Sequence, residues 1–241
     1  MTLLFLLVAV FPGQRFANLP TGVMPEPAVW QFTVSHRFLP AVFAPDWQRD
    51  PLRAFTSPNV RIALDKLIGD RWAAGITDDI STRELGLRAA WAPLGWLTAY
   101  PEVTTYVIAL GAESTWFNLG MCAHHTLAGK YAGAIQPRYT TNLSEHFVSL
   151  GLGVKAAVLP TWWLGFEAEP VILGDSTTGR VPMNLTIEKE QGWHNFIITI
   201  GNVRGQTAPA MLRNQGQTGY SDILDVTKGY FRVGFNILRK F

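Results

Sequence analysis

The stretch Gly229-Tyr-Phe-Arg-Val-Gly-Phe-Asn-Ile-Leu-Arg-Lys-Phe241 has the clearest strand pattern in the chain. Its alternate residues from Phe231 to Ile237 are apolar, whereas the residues between them, Arg232, Gly234 and Asn236, are polar or small. Because successive side chains of a β-strand point to opposite faces, this pattern predicts an amphipathic strand. An edge strand of a soluble sheet would show the same alternation, so this stretch alone does not fix the kind of sheet.

The composition favours one large all-β domain. The chain has 241 residues, and its charged residues make up only 16%, below the roughly 25% of ordinary soluble domains. The net charge of +2 and the lack of a Lys/Arg-rich block argue against a nucleic-acid partner. Cys122 is the only cysteine, which excludes an internal disulfide and an all-cysteine metal site.

The amino-terminal residues predict three regions. The apolar run Met1 to Phe11 is too short to span a bilayer as a helix and is typical of the core of an export signal, although no Lys or Arg precedes it. We therefore expect a signal peptide over 1–17, a periplasmic lead-in over 18–28 and a barrel over 29–241. The alternative for the apolar run is a buried first strand.

Alternating apolar and polar residues recur along the chain and predict twelve strands. Short turns at Gly69, Pro93, Gly129, Pro160 and Gly192 alternate with connections that are mostly longer. This arrangement is typical of a closed, antiparallel, up-and-down transmembrane β-barrel with both chain ends periplasmic. The predicted strands are 29–38, 59–66, 71–77, 84–91, 102–111, 116–127, 131–141 (interrupted by Pro137), 147–158, 162–169, 184–189, 194–203 and 229–241.

The charged residues of these strands fall on one face, and large apolar residues fall on the other. A barrel of twelve strands is too wide to be filled by its own apolar side chains, so we expect the charged face to line the lumen and the apolar face to meet lipid. Unpaired charge in a narrow lumen is costly, which favours ion pairing. The predicted lumen network is Arg37, Arg61, Asp65, Arg71, Glu84, Arg88, Lys155, Glu167, Glu169, Glu188 and Arg232, with Arg138 as a further base.

Tryptophans recur near the ends of the predicted strands. Membrane barrels carry rings of aromatic residues at this level, where the bilayer meets water. The predicted aromatic girdle consists of Trp30, Trp72, Trp91, Trp96, Trp116 and Trp162.

Several segments, in this order, resemble a family of outer-membrane β-barrel proteins known as a domain of unknown function. The segments are Phe32 to Phe38, Asn59 to Asp65 with Ile68 to Arg71, Ile187-Glu188 with Gly192 to His194, Ile200 to Asn202 with Arg204-Gly205, and Gly229 to Ile237. The resemblance implies a location in the bacterial outer membrane. A closing strand that stops on an aromatic residue also resembles the assembly signal of such barrels, here Phe231, Phe235 and Phe241.

The sequence offers few residues for chemistry. His36 is predicted on the apolar face, but its neighbour Ser35 points inward, so the two cannot share a proton. His124 and His125 point to opposite faces for the same reason. Cys122 and His124 share a face, and Asp78-Asp79 in a turn could hold Ca²⁺, but an unmetallated pair and solvated acids are the simpler expectations. We predict no catalytic residue, no metal and no cofactor.

These observations predict a porin-like barrel with a narrow, charge-lined lumen that serves small-solute passage or acts as a scaffold. Its expected partners are outer-membrane lipid and lipopolysaccharide, the barrel-assembly machinery and a periplasmic or membrane protein. Two alternatives stay open: a soluble ligand-binding barrel with an apolar interior, and an outer-membrane hydrolase that acts on lipid through His36 at its rim.

Overall fold

The computed structural model describes residues 30–38, 58–68, 70–80, 83–107, 114–174, 181–203 and 231–241, and almost all of them form β-strands. Among the described residues, no helix has the length and hydropathy that crossing a membrane requires. The strands are β1 (Trp30–Phe38), β2 (Pro58–Ile68), β3 (Trp72–Asp79), β4 (Glu84–Leu94), β5 (Leu97–Tyr106), β6 (Thr115–Leu127), β7 (Tyr131–Thr141), β8 (His146–Leu159), β9 (Trp162–Ala168), β10 (Val171–Gly174), β11 (Met183–Gln191), β12 (His194–Gly201) and β13 (Arg232–Lys240).

The strands close into a barrel. Each strand pairs antiparallel with its neighbours in the chain, and β1 pairs with β13. The strands β9 and β10 both pair with β8 and act as one strand, interrupted at Glu169-Pro170. The result is the predicted twelve-strand, up-and-down antiparallel barrel.

Two prolines lie inside strands, and the ladder accommodates both. Pro137 pairs with Leu150 of β8, while the β6–β7 ladder is interrupted on its other side, where the missing N–H would have donated. Pro101 interrupts the β4–β5 ladder in the same way. The strand predicted over 102–111 starts earlier than expected, at Leu97, and its Tyr106 faces inward.

Burial alternates along every long strand. In β7, Gln136, Arg138 and Thr140 are buried, whereas Ile135 and Tyr139 are exposed. Because the sheet closes on itself, the buried face is the inside of the barrel. The inside is mostly polar and charged and the outside carries most of the large apolar side chains, as the sequence predicted.

The two ends of the barrel differ in their connections. The strands at one end are joined by the brief connections 69–71, 95–96, 128–130, 160–161 and 192–193, and Trp30 and Phe241 lie at this end, hereafter the short-turn end. Gly192 has a positive φ of 58° in its turn. The opposite end, hereafter the loop end, holds the connections 39–57, 80–83, 107–114, 142–145, 175–182 and 202–231.

Several predictions lie outside the described residues: the signal peptide over 1–17, the lead-in over 18–28, the first barrel residue, residues 108–111 of the fifth predicted strand, and residues 229–230 of the last. The pair Asp78-Asp79 was expected in a turn. Instead, both residues belong to β3, with Asp78 exposed and Asp79 buried inside the barrel.

Candidate functional site: the lumen

The predicted charged face lies inside the barrel with one exception. Arg37, Arg61, Asp65, Glu84, Lys155, Glu167, Glu169, Glu188 and Arg232 are all buried, and the Arg88 side chain is only 12% exposed. Arg71 is the exception. It lies exposed in the β2–β3 turn, where its Nη1 donates to the carbonyl oxygen of Pro93 at 3.2 Å, because the alternation of β3 begins only at Trp72.

Two inward acids were missed by the sequence reading. Asp79 was assigned to a turn and Glu102 to the beginning of a strand, so neither was placed on a face. Asp79 is directly opposite Arg61 in the β2–β3 ladder, and Glu102 is directly opposite Arg88 in the β4–β5 ladder. Extending the alternation of β3 by two residues would have placed Asp79 correctly.

The first group of charges connects β2 with β4 across the glycine of β3. Asp65, Gly75 and Arg88 are directly opposite one another on these three strands. The Arg88 guanidinium forms an ion pair with the Asp65 carboxylate. A Cβ added at Gly75 would collide with that carboxylate. The glycine therefore leaves the space in which the Asp65 side chain lies flat over β3, and we call these three residues the β2–β4 bridge.

Arg61 extends this group toward β5. Its Nη2 lies 2.6 Å from Glu102 Oε1 and also donates to Thr77 Oγ1 at 3.2 Å. Gly86 lies beneath this contact, because a Cβ there would meet Thr77, Thr104 and the Glu102 carboxylate. Charged side chains of β2, β4 and β5 thus form one layer along the inner surface.

A second group on another part of the barrel is related, but its acid is displaced by two residues from the glycine. Lys155 of β8 forms an ion pair with Glu188 of β11, and the lysine side chain passes over Gly165 of β9. Asn195 Nδ2 also donates to the Glu188 carboxylate. We call Lys155, Gly165 and Glu188 the β8–β11 bridge.

The inward carboxylates of Glu169 and Glu167 are also paired with polar groups of other strands. Arg138 Nη1 lies 3.4 Å from Glu169 Oε1, and Ser149 Oγ donates to the same oxygen at 2.6 Å. Asn184 Nδ2 donates to Glu167 Oε1 at 2.7 Å.

Arg37 lies across Gly234 of β13. Its Nη1 donates to Asn236 Oδ1 and to the carbonyl oxygen of His36, each at 2.8 Å. A Cβ added at Gly234 would lie 2.7 Å from Arg37 Cδ, so this glycine also seats a long charged side chain.

Five of the six predicted girdle tryptophans are exposed or half-exposed at the short-turn end: Trp30, Trp72, Trp91, Trp96 and Trp162. Trp193, exposed in the β11–β12 turn, joins them and was not predicted. Trp72 and Trp91 are directly opposite each other and stack at 5.5 Å. Whether these residues act as an interfacial girdle stays a prediction.

Trp116 does not belong to this group. It is buried inside the barrel near the loop end, where it stacks on Phe147 at 5.9 Å and packs with Val203, Tyr106 and Val171. Trp116 alternates with the apolar residues Phe117 and Leu119, which are exposed on the outside, so the alternation of β6 places Trp116 inside. The loop end of the lumen therefore carries a cluster of aromatic and aliphatic side chains.

The residues weighed for chemistry do not form a reactive site. Ser35 is buried inside, while the His36 ring stacks on Phe235 at 4.4 Å on the outer face. Cys122 is fully buried and His124 is half-buried on the same inner face. In the described part of the chain, no three His, Cys, Asp or Glu residues are grouped to hold a metal ion.

Comparison with solved structures identifies the fold. The chain is similar to a KdgM porin, with a TM-score of 0.53 and 9% identity over 89% of this chain and 99% of that chain. The KdgM porin in complex with disordered oligogalacturonate gives a TM-score of 0.55 and 9% identity over 88% and 99%. A COG4313 outer membrane channel from Pseudomonas putida F1 gives a TM-score of 0.48 and 14% identity over 91% and 97%.

No curated protein sequence matches the chain at a significant level. The identities to the two KdgM structures are so low that they support the barrel fold and nothing finer. The family model described as a membrane bound beta barrel domain, DUF5777, matches residues 130–241. The match contains the family segments recognised in β11 to β13. The carboxy-terminal part of the chain, from β7 to β13, is therefore similar to this membrane-bound β-barrel domain.

Proposed function

We propose that this protein is a bacterial outer-membrane channel through which small polar solutes pass. The observation that supports this function is the way in which the inward charges are held. Charged side chains pair with charges on strands two or three positions away, and they lie over glycines as they do so.

This arrangement matters because of where it leaves the ionic groups. A long side chain that lies flat along the inner surface occupies less of the cross-section than one that projects toward the barrel axis. Inward glycines at 75, 86, 165 and 234 allow the flat orientation. The lumen is then lined by pairs of opposite charge and keeps part of its cross-section open, which suits small polar solutes of either sign.

The proposal places the apolar outer surface against phospholipid and lipopolysaccharide, and the short-turn end in the periplasm. In this location the barrel-assembly machinery would recognise the closing strand with Phe231, Phe235 and Phe241. Short periplasmic turns and longer external loops are the usual arrangement in bacterial barrels.

The test is conductance in a planar lipid bilayer. Purified, folded protein should give stepwise openings, and Glu102→Gln should shift the ion selectivity toward anions because it removes a lumen-facing carboxylate. Asp70→Asn, in the exposed β2–β3 turn, removes the same charge outside the lumen and should leave the selectivity unchanged.

If folded protein, identified by its heat-modifiable migration, gave no conductance in the bilayer, the channel function would be wrong. If a periplasmic or membrane protein then co-purified with the non-conducting barrel, the scaffold function would replace the channel function. A selectivity shift in Asp70→Asn as large as in Glu102→Gln would also contradict the role of the lumen charges.

A further inference from the structure

A concave apolar surface lies on the outer face of the barrel between β6 and β11. Its sides are formed by outward-facing Trp96, Leu127, Tyr131, Ile135, Leu152, Val154, Leu164, Phe166 and Leu185. Its floor contains the small residues Ala123, Gly133 and Ala156 and the backbone beneath them. We call this surface the outer groove.

Gly133 distinguishes the outer groove from the lumen. A Cβ added at the inward glycines 75, 86, 165 and 234 would collide with neighbouring atoms, whereas at Gly133 its nearest neighbour would be the Gly153 carbonyl oxygen at 3.9 Å. Gly133 also lacks the positive φ that favours glycine. Neither neighbouring atoms nor backbone conformation therefore explains this glycine, and the space above it is open to a molecule outside the chain.

The outer groove runs obliquely across the barrel wall, from the short-turn end toward the loop end. His125, Gly133, Val154, Phe166 and Leu185 are directly opposite one another on successive strands. His125 lies next to the end of β6 at the short-turn end, but Leu185 lies near the start of β11, which begins at the loop end. Four strand spacings of about 4.8 Å give a path of about 19 Å perpendicular to the strands, and at a strand tilt of about 40° this path descends about 12 Å, within the roughly 15 Å of one hydrocarbon leaflet.

The polar groups near the outer groove are gathered at its shallow end. His125 is exposed there, and Lys130 is exposed in the adjacent β6–β7 turn. Trp96 and Tyr131, which favour the level of lipid headgroups, flank the same end. The deep end, at Phe166 and Leu185, is lined by apolar side chains. The polarity therefore changes along the groove in the same sense as along a phospholipid.

We propose that the outer groove binds one anionic phospholipid, with its acyl chain over Gly133 and Ala156 and its headgroup beside His125 and Lys130. Within the membrane-facing surface, an alkyl chain is the occupant that fills an open apolar channel without leaving a polar group unpaired. The proposal depends on the membrane-spanning fold and not on solute passage, so it stands or falls separately from the channel.

The test measures phospholipid retained by the purified barrel. Wild-type protein is reconstituted in vesicles of phosphatidylethanolamine and phosphatidylglycerol, extracted in mild detergent and weighed by native mass spectrometry. We expect one retained phospholipid, with phosphatidylglycerol preferred. Ala156→Leu and Gly133→Leu should each lower retention about tenfold, the factor for losing contact with roughly two methylene groups.

Ala74→Leu is the matched control, because it adds the same side chain at an exposed outward position of β3, far from the groove. Heat modifiability first establishes that each variant is folded. His125→Ala with Lys130→Ala leaves the groove floor intact and should abolish the preference for phosphatidylglycerol. Equal retention in Ala156→Leu and Ala74→Leu would overturn the proposal, as would a wild-type barrel that carries no lipid or that fills the groove with a second copy of the chain.

Discussion

The β2–β4 bridge and the β8–β11 bridge are the same device built in two different environments. In each, an acid and a base pair across an intervening strand that places a glycine opposite the base, although only Gly75 is also directly opposite the acid. The side chains of Arg88 and Asp65 remain 12% and 10% exposed, whereas those of Lys155 and Glu188 are 1% and 0% exposed. The first pair therefore keeps some accessible surface inside the barrel, whereas the second has almost none.

The difference assigns different roles to the two bridges. A pair that keeps some accessible surface is expected to contribute less to stability than a fully buried one, and it presents its charges to whatever passes through the lumen. A fully buried pair has lost the hydration of both ions, so each partner depends on the other and on its hydrogen bonds. Asn195, which donates to Glu188, supplies one such bond. We infer that the β2–β4 bridge contributes to the lumen surface and that the β8–β11 bridge holds the barrel together.

Lys155→Met tests this difference with the largest expected effect. The substitution leaves the Glu188 carboxylate buried without its counter-ion, and we expect the free energy of unfolding to fall by about 3–5 kcal/mol. Urea titration of the detergent-solubilised barrel, followed by tryptophan fluorescence, measures this loss. Adding Glu188→Gln removes the uncompensated charge and should restore most of the stability. A double variant as unstable as Lys155→Met would show that the pair is not the cause.

Arg88→Met is the corresponding change in the other bridge. Arg88→Met leaves the Asp65 carboxylate without its partner, but this carboxylate keeps some accessible surface. We therefore expect a smaller loss of unfolding free energy, about 1–3 kcal/mol, in the same titration. The comparison between the bridges fails if Arg88→Met destabilises the barrel more than Lys155→Met does.

Gly75→Ala tests the seat beneath the β2–β4 bridge. The added methyl group collides with the Asp65 carboxylate, so the ion pair has to shift, and we expect a loss of about 1–2 kcal/mol. Gly133→Ala adds the same methyl group at an outward position of β7 with open space and should change the unfolding free energy by less than about 0.5 kcal/mol. Similar losses at both positions would mean that backbone flexibility, and not the space for the side chain, explains Gly75.

The strands and the direction of the barrel faces could be predicted from the sequence because alternation with period two is a local property. The errors occurred where that alternation starts or is interrupted. Arg71 precedes the first residue of β3. Because Pro101 interrupts the alternation, the sequence did not show that β5 begins at Leu97, and the inward direction of Glu102 and Tyr106 was missed. Trp116 was an avoidable error, since its position next to Phe117 already placed it inside.

The bridges themselves could not be predicted. Which acid meets which base depends on the register between strands that are not neighbours in the sheet. Asp65 and Arg88 are brought into line by two successive ladders, β2–β3 and β3–β4. The sequence contains Gly75, but it does not show which residues of β2 and β4 are opposite this glycine. The charges could therefore be assigned to the lumen, but not to their partners.

Salt dependence gives the smallest effect and the sharpest distinction between the bridges. Ions in the lumen screen a pair that contacts water, with a Debye length of about 3 Å at 1 M salt, and they do not reach a pair buried from it. In 1 M KCl the loss caused by Arg88→Met should therefore fall by roughly half, while the loss caused by Lys155→Met stays the same. Urea titrations of both variants and of the wild type at 0.1 M and 1 M KCl measure the two changes. Equal salt dependence would place both pairs in the same environment and would remove the reason for giving the two bridges different roles.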